Sequence, residues 1–243
     1  MFTAVSQNHT LGLLVAGASS LFWTLAYALI IARGARDHVC GMPLTALAAN
    51  LSWELIFLHA TLSHGALDAR LALLVPWTLL DLVILAQAIR YGRREIDHPL
   101  LKRYFPLAFA ALFALTGAVL LTFVREMKDA IGWIAAFGQN LMMSALFVSM
   151  LVTRSDLRGQ SIHIGLARLL GTLFAFLLAL FWSPPSLHEH WSQLLPEGYH
   201  PISPLIIVLY TGIFALDVLY VALVHRRCRE LGLDPWRWHP ASG

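Results

Sequence analysis

The sequence predicts an all-α polytopic membrane protein, a bundle of seven transmembrane helices forming one domain over residues 1–243. Three observations lead there. Of 243 residues, 58% are hydrophobic and 13% are charged, about half the roughly 25% charged residues of a soluble domain. The mean hydropathy is +0.67. Apolar runs of about 20 residues, the length that crosses a hydrocarbon core of roughly 30 Å, recur seven times. This balance excludes disordered, fibrous and disulfide-rich secreted chains. Two cysteines, Cys40 and Cys228, are too few for a disulfide framework and match no metal-ligand spacing. The net charge of +3 and pI near 9.1 arise from loop arginines and point to membrane orientation, with no nucleic-acid partner expected.

The expected spans are residues 11–32, 43–62, 71–89, 104–124, 130–152, 162–182 and 203–224, each an apolar run bounded by charged or Pro-containing loops. The ten residues before the first span carry no Lys or Arg. That span lacks a small-residue cleavage site, so it reads as a retained helix and not a signal peptide. Thirteen Lys and Arg fall on one side of the seven-span frame: Arg33, Arg36, Arg90, Arg93, Arg94, Lys102, Arg103, Arg154, Arg158, Arg226, Arg227, Arg229 and Arg237. Three fall on the other side, Arg70, Arg125 and Lys128, and Arg168 lies within the sixth span. The positive-inside rule then places the C-terminus in the cytoplasm and the N-terminus outside. Both cysteines fall at cytoplasmic ends, where thiols stay reduced. Residues 183–202 hold no Lys or Arg and are rich in Pro and His. They are expected to form an ordered external loop over the bundle mouth.

Ionisable residues deep in a span are functional candidates, because a charge at the bilayer centre costs about 3 kcal/mol on insertion scales. Four occur here: Glu54, Asp81, Arg168 and Asp217. Glu54 ends the run Asn50-Leu51-Ser52-Trp53-Glu54, which places Asn50 and Glu54 on one helix face. A carboxyl there is either an interhelical hydrogen-bonding group or a proton donor, because a low-dielectric site favours its neutral form. At 1.5 Å per residue, Glu54 lies about 16 Å from the cytoplasmic end of its span and Asp217 about 10 Å from the end of its own. Those depths let the two share one cavity. Asp217 has Tyr210 and Phe214 on the same helix face as candidate wall residues, and its structural alternative is an ion pair with Arg168. Asp81 follows Trp77 by one turn and is either a third wall of the cavity or a partner of Arg168. Gln139 and Asn140 read as interhelical hydrogen-bonding groups, and His59 and His64 as interfacial residues.

Some chemistry is absent. No lysine lies in any span, which excludes a retinal Schiff base. There is no Gly-rich phosphate loop and no exposed Ser nucleophile motif. The acidic motifs of soluble terpene cyclases, Asp-Asp-x-x-Asp and Asp-x-Asp-Asp, do not occur. No metal site and no cofactor are expected.

The chain resembles the small integral-membrane terpene cyclases of meroterpenoid, indole-diterpene and bacterial prenyl-indole alkaloid biosynthesis. Asn50-Leu51-Ser52-Trp53-Glu54 resembles that family's second-helix motif, with Glu54 at its essential acid. Asp217 falls where the family has an acidic residue in the last helix. The run from Arg154 through Arg158, Gly159, Gln160 and Ser161, followed by Arg168-Leu169-Leu170-Gly171, resembles its junction of the fifth and sixth helices. The 13 Phe, 8 Trp and 6 Tyr fit a cavity that guides a cation. The resemblance implies a metal-independent isomerase or lyase acting on a hydrophobic prenylated small molecule within the bilayer. It begins by protonating a terminal epoxide or alkene, and a carbocation then travels through a dry aromatic cavity. Glu54 and Asp217 are the carboxyls it implies, with Asn50 orienting Glu54 and Trp53 lining the cavity or locking its helix. A small transporter, or a heptahelical sensor, would also place carboxylates mid-membrane. The transporter lacks the expected inverted repeat, and the short loops leave the sensor little signalling surface.

Overall fold

The computed structural model describes residues 9–63, 71–154, 156–181 and 202–238. Within them there is no β-strand. The α-helices are α1 (His9–Asp37), α2 (Leu44–Ser63), α3 (Leu71–Tyr91), α4 (Pro99–Arg103), α5 (Phe105–Glu126), α6 (Trp133–Thr153), α7 (Ile162–Phe181) and α8 (Pro204–Glu230), with one 3-10 turn at Gly92–Glu95. His64 and most of the expected 183–202 loop lie outside the described residues.

Six of these helices, α1, α3, α5, α6, α7 and α8, are long and apolar enough to cross a membrane. The seventh expected span coincides with α2, which has 20 residues but is not among the six. Its length suffices. Its apolarity does not, because Asn50, Ser52, Glu54 and His59 interrupt the run. Half of α2 is nevertheless buried, including Ala46 to Ser52, Glu54 and Phe57. Asn50, Ser52 and Glu54 therefore face protein, while His59 is exposed.

The packing order explains that burial. α2 lies against α3, α3 against α1, α1 against α7, α7 against α8, α8 against α6, and α6 returns to α2. These six helices close a ring. α5 stands outside it and packs chiefly on α2, with only Phe105 and Leu120 buried. Leu107, Leu115, Val119 and Leu121 of α5 are exposed, as suits a lipid-facing surface, since lipid imposes no hydrophobic penalty on exposed leucines. The α1–α7 seam is tight. Ser19 Oγ donates to Gly171 O at 2.9 Å, and a Cβ on Gly171 would stand 2.8 Å from Trp23 Cδ1. Small residues at such seams let backbones approach. The main core joins Tyr27, Leu47, Ile84, Phe147, Ile164, Tyr220 and Val224 from six helices.

Several boundaries differ from expectation for local reasons. α1 runs a turn past residue 32 because Arg33 and Asp37, four apart, form a buried ion pair at 2.6 Å. α8 continues past residue 224 to Glu230, where Arg226 reaches Glu230 at 2.7 Å. α6 starts at Trp133 and not at 130, because Asp129 caps it: its carboxylate accepts from Trp133 N and Ala135 N, both at 2.8 Å. The short α4 was not expected; Pro99 opens it at the first helical position, where the missing N–H does no harm.

Candidate active site

The ring encloses polar side chains in two hydrogen-bonded groups. The first is built around Asn50 of α2. Its Nδ2 lies 2.8 Å from Asp81 Oδ2 on α3 and 3.1 Å from Glu54 Oε1 one turn along its own helix, and it also donates to the Tyr27 hydroxyl of α1. Tyr27 in turn donates to Glu54 Oε1 at 3.0 Å. From α6, Gln139 Nε2 donates to Asn50 Oδ1 at 3.3 Å. Four helices thus converge on one carboxamide. Glu54 is 1% exposed and Asp81 0%. Glu54 Oε2, Asp81 Oδ1 and Gln139 Oε1 are buried with no hydrogen-bond partner among the described residues. No cation is among the hydrogen-bond partners of Glu54 and Asp81 in this group.

The second group holds the cation. Arg168 Nη2 of α7 lies 3.0 Å from Asp217 Oδ1 of α8 and 2.7 Å from Ser144 Oγ of α6. Its guanidinium sits 4.2 Å from the centroid of the Phe147 ring, a cation–π contact. Both charged residues are buried, at 0% and 1% exposure. Asp217 Oδ2 and the Nε and Nη1 of Arg168 have no hydrogen-bond partner among the described residues. One turn further along both helices, Asn140 Nδ2 donates to Thr172 Oγ1 at 2.9 Å. The two groups adjoin on α6, where Gln139 serves the first and Ser144 the second. Glu54 and Asp217, whose depths let them share one cavity, stand in separate hydrogen-bonded groups and are not hydrogen-bonded to each other. Asp81 partners Asn50, and Arg168 partners Asp217.

The aromatic candidates divide. Trp53 Nε1 donates to Gly132 O at 3.0 Å, so Trp53 ties α2 to the turn before α6. Gly132 itself has φ 72°, and a Cβ there would collide with the Phe57 ring, which only glycine avoids at no conformational penalty. Trp77 Nε1 donates to Thr24 Oγ1 at 3.0 Å, bridging α3 to α1. Tyr210 stacks on Phe176 at 3.9 Å in a second apolar cluster with Phe137, Ile206 and Ile213. Phe214 contacts Tyr210 at 6.2 Å but is 45% exposed, on the flank of the buried stripe of α8.

The junction motif at 154–161 lies away from both groups, at the end of the bundle that carries most of the arginines. Arg154 pairs with Glu95 and reaches Cys40 O at 3.3 Å. Cys40 N donates to the other Glu95 oxygen at 2.6 Å. Burial pushes the Glu95 carboxyl above its usual range, and the Arg154 charge opposes that shift. Burial also raises the Cys40 thiol to about 12, so Cys40 acts as a small packed residue. Gly159 N donates to Asp37 Oδ2 at 2.8 Å, and Gln160 accepts from the Tyr220 hydroxyl at 2.7 Å. These contacts fasten loops together.

Tyr27, Ser144 and Thr172 were not singled out from the sequence. Only Tyr27 carried a signal: a phenol inside an apolar span needs a hydrogen-bond partner. Among the described residues, no three His, Cys, Asp or Glu converge in a way that could hold a metal ion.

Comparison with known proteins agrees with this frame. Residues 6–227 match the family described as Pyr4-like transmembrane terpene cyclases. The chain is 30% identical over 223 residues to the terpene cyclase pyr4 of Aspergillus fumigatus, covering 88% of this chain and 85% of the relative. It is 30% identical to the Pyr4-family terpene cyclase mfmH of Annulohypoxylon moriforme, over 69% of this chain and 70% of the relative. It is 29% identical to asnovolin H synthase nvfL of Aspergillus novofumigatus, over 87% and 84%. No solved structure matches. The match spans every helix of the ring and both buried polar groups, and by it this chain belongs to the Pyr4-like transmembrane terpene cyclases, a family of integral membrane proteins.

Proposed function

We propose that the protein is a metal-independent, proton-initiated cyclase of a hydrophobic prenylated small molecule, with Glu54 as general acid. One observation carries the reading: Glu54 is buried beside Asp81 in a hydrogen-bonded group without a cation, and its Oε2 is unengaged. A buried charge without a counter-ion costs several kcal/mol, so the carboxyl keeps its proton until a substrate accepts it. Its Oε2–H is given either to a terminal epoxide oxygen, with cleavage of the C–O bond at the more substituted carbon, or to a terminal alkene carbon. The cation formed is captured by the next double bond of the folded chain, and ring closure repeats until a C–H proton is lost. The proton added and the proton lost balance, so the product is an isomer of the substrate.

Asp217 is the second carboxyl of this reading. Arg168 holds it as an ion pair with Oδ2 unengaged, a placement suited to stabilising a nearby cation or accepting the terminating proton. Asn50 orients Glu54, and Trp53 locks α2 against the α6 turn. Tyr210 and Phe214 offer aromatic faces at the flank, where a desolvated cation gains about 2 kcal/mol per ring. The substrate enters laterally from the bilayer. The mid-membrane carboxyls also suit a transporter or a sensor, but the family relationship favours neither.

α2 serves as the seventh span in this reading, its polar face turned into the ring. The seven spans then put the arginine-rich end in the cytoplasm and the N-terminus outside. A reporter fused after Gly243 is expected to behave as cytoplasmic. A signal from the opposite compartment would invert the assignment. The test of the chemistry is turnover by purified protein in excess EDTA, using 3-farnesylindole and its terminal epoxide as probes. Undiminished turnover is expected. Loss on chelation, restored by magnesium, would refute a proton-initiated start.

A further inference from the structure

The hydrogen bonds around Glu54 all run in one direction. Gln139 Nε2 donates to Asn50 Oδ1, which fixes the orientation of the Asn50 amide, so that Nδ2 faces Tyr27, Glu54 and Asp81. Asn50 Nδ2 donates to the Tyr27 hydroxyl oxygen. An oxygen that accepts there is free to turn its own hydrogen onward, and Tyr27 gives it to Glu54 Oε1 at 3.0 Å. Asn50 Nδ2 also stands 3.1 Å from the same Oε1. An amide nitrogen has two hydrogens, and here three acceptors surround it, the third being Asp81 Oδ2 at 2.8 Å. Asn50 therefore cannot serve all three fully; the Thr78 hydroxyl near the Glu54 carboxyl gives its hydrogen to Leu74 O, and the phenol of Tyr27 gives its hydrogen to Glu54 Oε1. A carboxyl oxygen that receives donors is the C=O oxygen; the proton resides on the other one. The other one, Oε2, is buried and has no partner among the described residues.

We infer that Tyr27 is a positioning residue for the general acid: its hydroxyl holds Glu54 Oε1 as the acceptor oxygen, confines the transferable proton to Oε2, and stabilises the carboxylate left once that proton has gone. The inference rests on Glu54 being the acid. It adds which oxygen delivers the proton and which residue of another helix decides it. Tyr27 is 5% exposed, and α1 brings it to the acid across the α1–α3–α2 sector of the ring. Donors already in place when charge develops on the carboxylate need no reorganisation at that moment. Without the phenol, the carboxyl can rotate and present its proton away from the substrate.

Infrared difference spectroscopy on the purified protein in lipid nanodiscs reads this directly, comparing wild type, Glu54→Gln and Tyr27→Phe. Wild type minus Glu54→Gln should show the C=O stretch of a protonated carboxylic acid. In Tyr27→Phe that band should remain and move to higher wavenumber, because the carbonyl has lost a hydrogen bond. With the farnesylindole probes, Tyr27→Phe should lower kcat about 10–100-fold, the scale of a misplaced reacting group, and leave KM within about twofold. Its kcat should also acquire a larger solvent deuterium isotope effect as proton delivery becomes limiting. Thermal unfolding keeps the comparison to folded protein. If the acid band is present but Tyr27→Phe neither shifts it nor changes kcat, Tyr27 only packs and the inference falls, while Glu54 remains the acid. If no acid band disappears in Glu54→Gln, Glu54 is ionised, and the proposed function falls first.

Discussion

Glu54→Gln is expected to lower cyclised product at least about 100-fold per folded protein, within or beyond the 10²–10⁴-fold range of general acid catalysis. The substitution is nearly isosteric. Its carbonyl oxygen takes the place of Oε1 and still accepts from Tyr27 and Asn50, and its amide nitrogen takes the place of the unengaged Oε2. The hydrogen-bonded group survives, and only the acidic proton is lost. Thermal unfolding and membrane insertion should therefore stay near wild type. Glu54→Asp keeps an acid but retracts it by one methylene from its two donors, and it should recover part of the yield. Asp81→Asn should cost less than Glu54→Gln, because Asp81 shares no hydrogen bond with Glu54 and both are bonded to Asn50. The measurement is product from the uncyclised precursor, normalised to folded protein. If Glu54→Gln retained more than about a tenth of wild-type yield, proton donation would have to be reassigned to Asp217 or Asp81.

Asp217→Asn is expected to abolish product and, unlike Glu54→Gln, to destabilise the fold. Arg168 is 0% exposed and is ion-paired with Asp217 at 3.0 Å. Removing one partner of a buried pair leaves an uncompensated charge, worth about 3–5 kcal/mol. Asp217→Asn combined with Arg168→Met removes both charges, and such replacements are often close to neutral in stability. The double variant should unfold near the wild-type temperature and still make no product. Recovery of both stability and yield would show that Asp217 merely neutralises Arg168, and the second carboxyl would leave the mechanism.

Much of this was legible because a bilayer writes simple rules. Long apolar runs between arginines marked the helices to within a turn or two, and the same hydropathy marked which residues were anomalous. Glu54, Asp81, Arg168 and Asp217 stood out because they are costly in apolar spans, and all four are buried inside the ring. Neighbours were less legible. Periodicity assigns a face to each helix but not the helix opposite, so Asp217–Arg168 could only be an alternative until α7 met α8, and the pairing of Asp81 with Asn50 went unforeseen until α3 met α2. The polarity that singled out α2 also keeps it from reading as an ordinary span. Tyr27 escaped notice because a tyrosine is common in apolar spans, and its role exists only where α1 places it against α2. The end of α1 at Asp37 and the start of α6 at Trp133 depend on single side-chain contacts, an ion pair and a cap, which hydropathy does not record.

In the proposed reaction a buried carboxyl adds a proton, a cation moves through a water-free interior, and a proton leaves. The mass of the product formed by the purified, EDTA-treated wild-type protein from the farnesylindole probes tests it most directly. A cyclised product with the same mass as its precursor is expected, formed with no added metal and absent with Glu54→Gln. A product that has gained water would mean that the cation is quenched and the interior is wet. No conversion of either probe, or conversion equal in wild type and Glu54→Gln, would contradict proton-initiated cyclisation by Glu54.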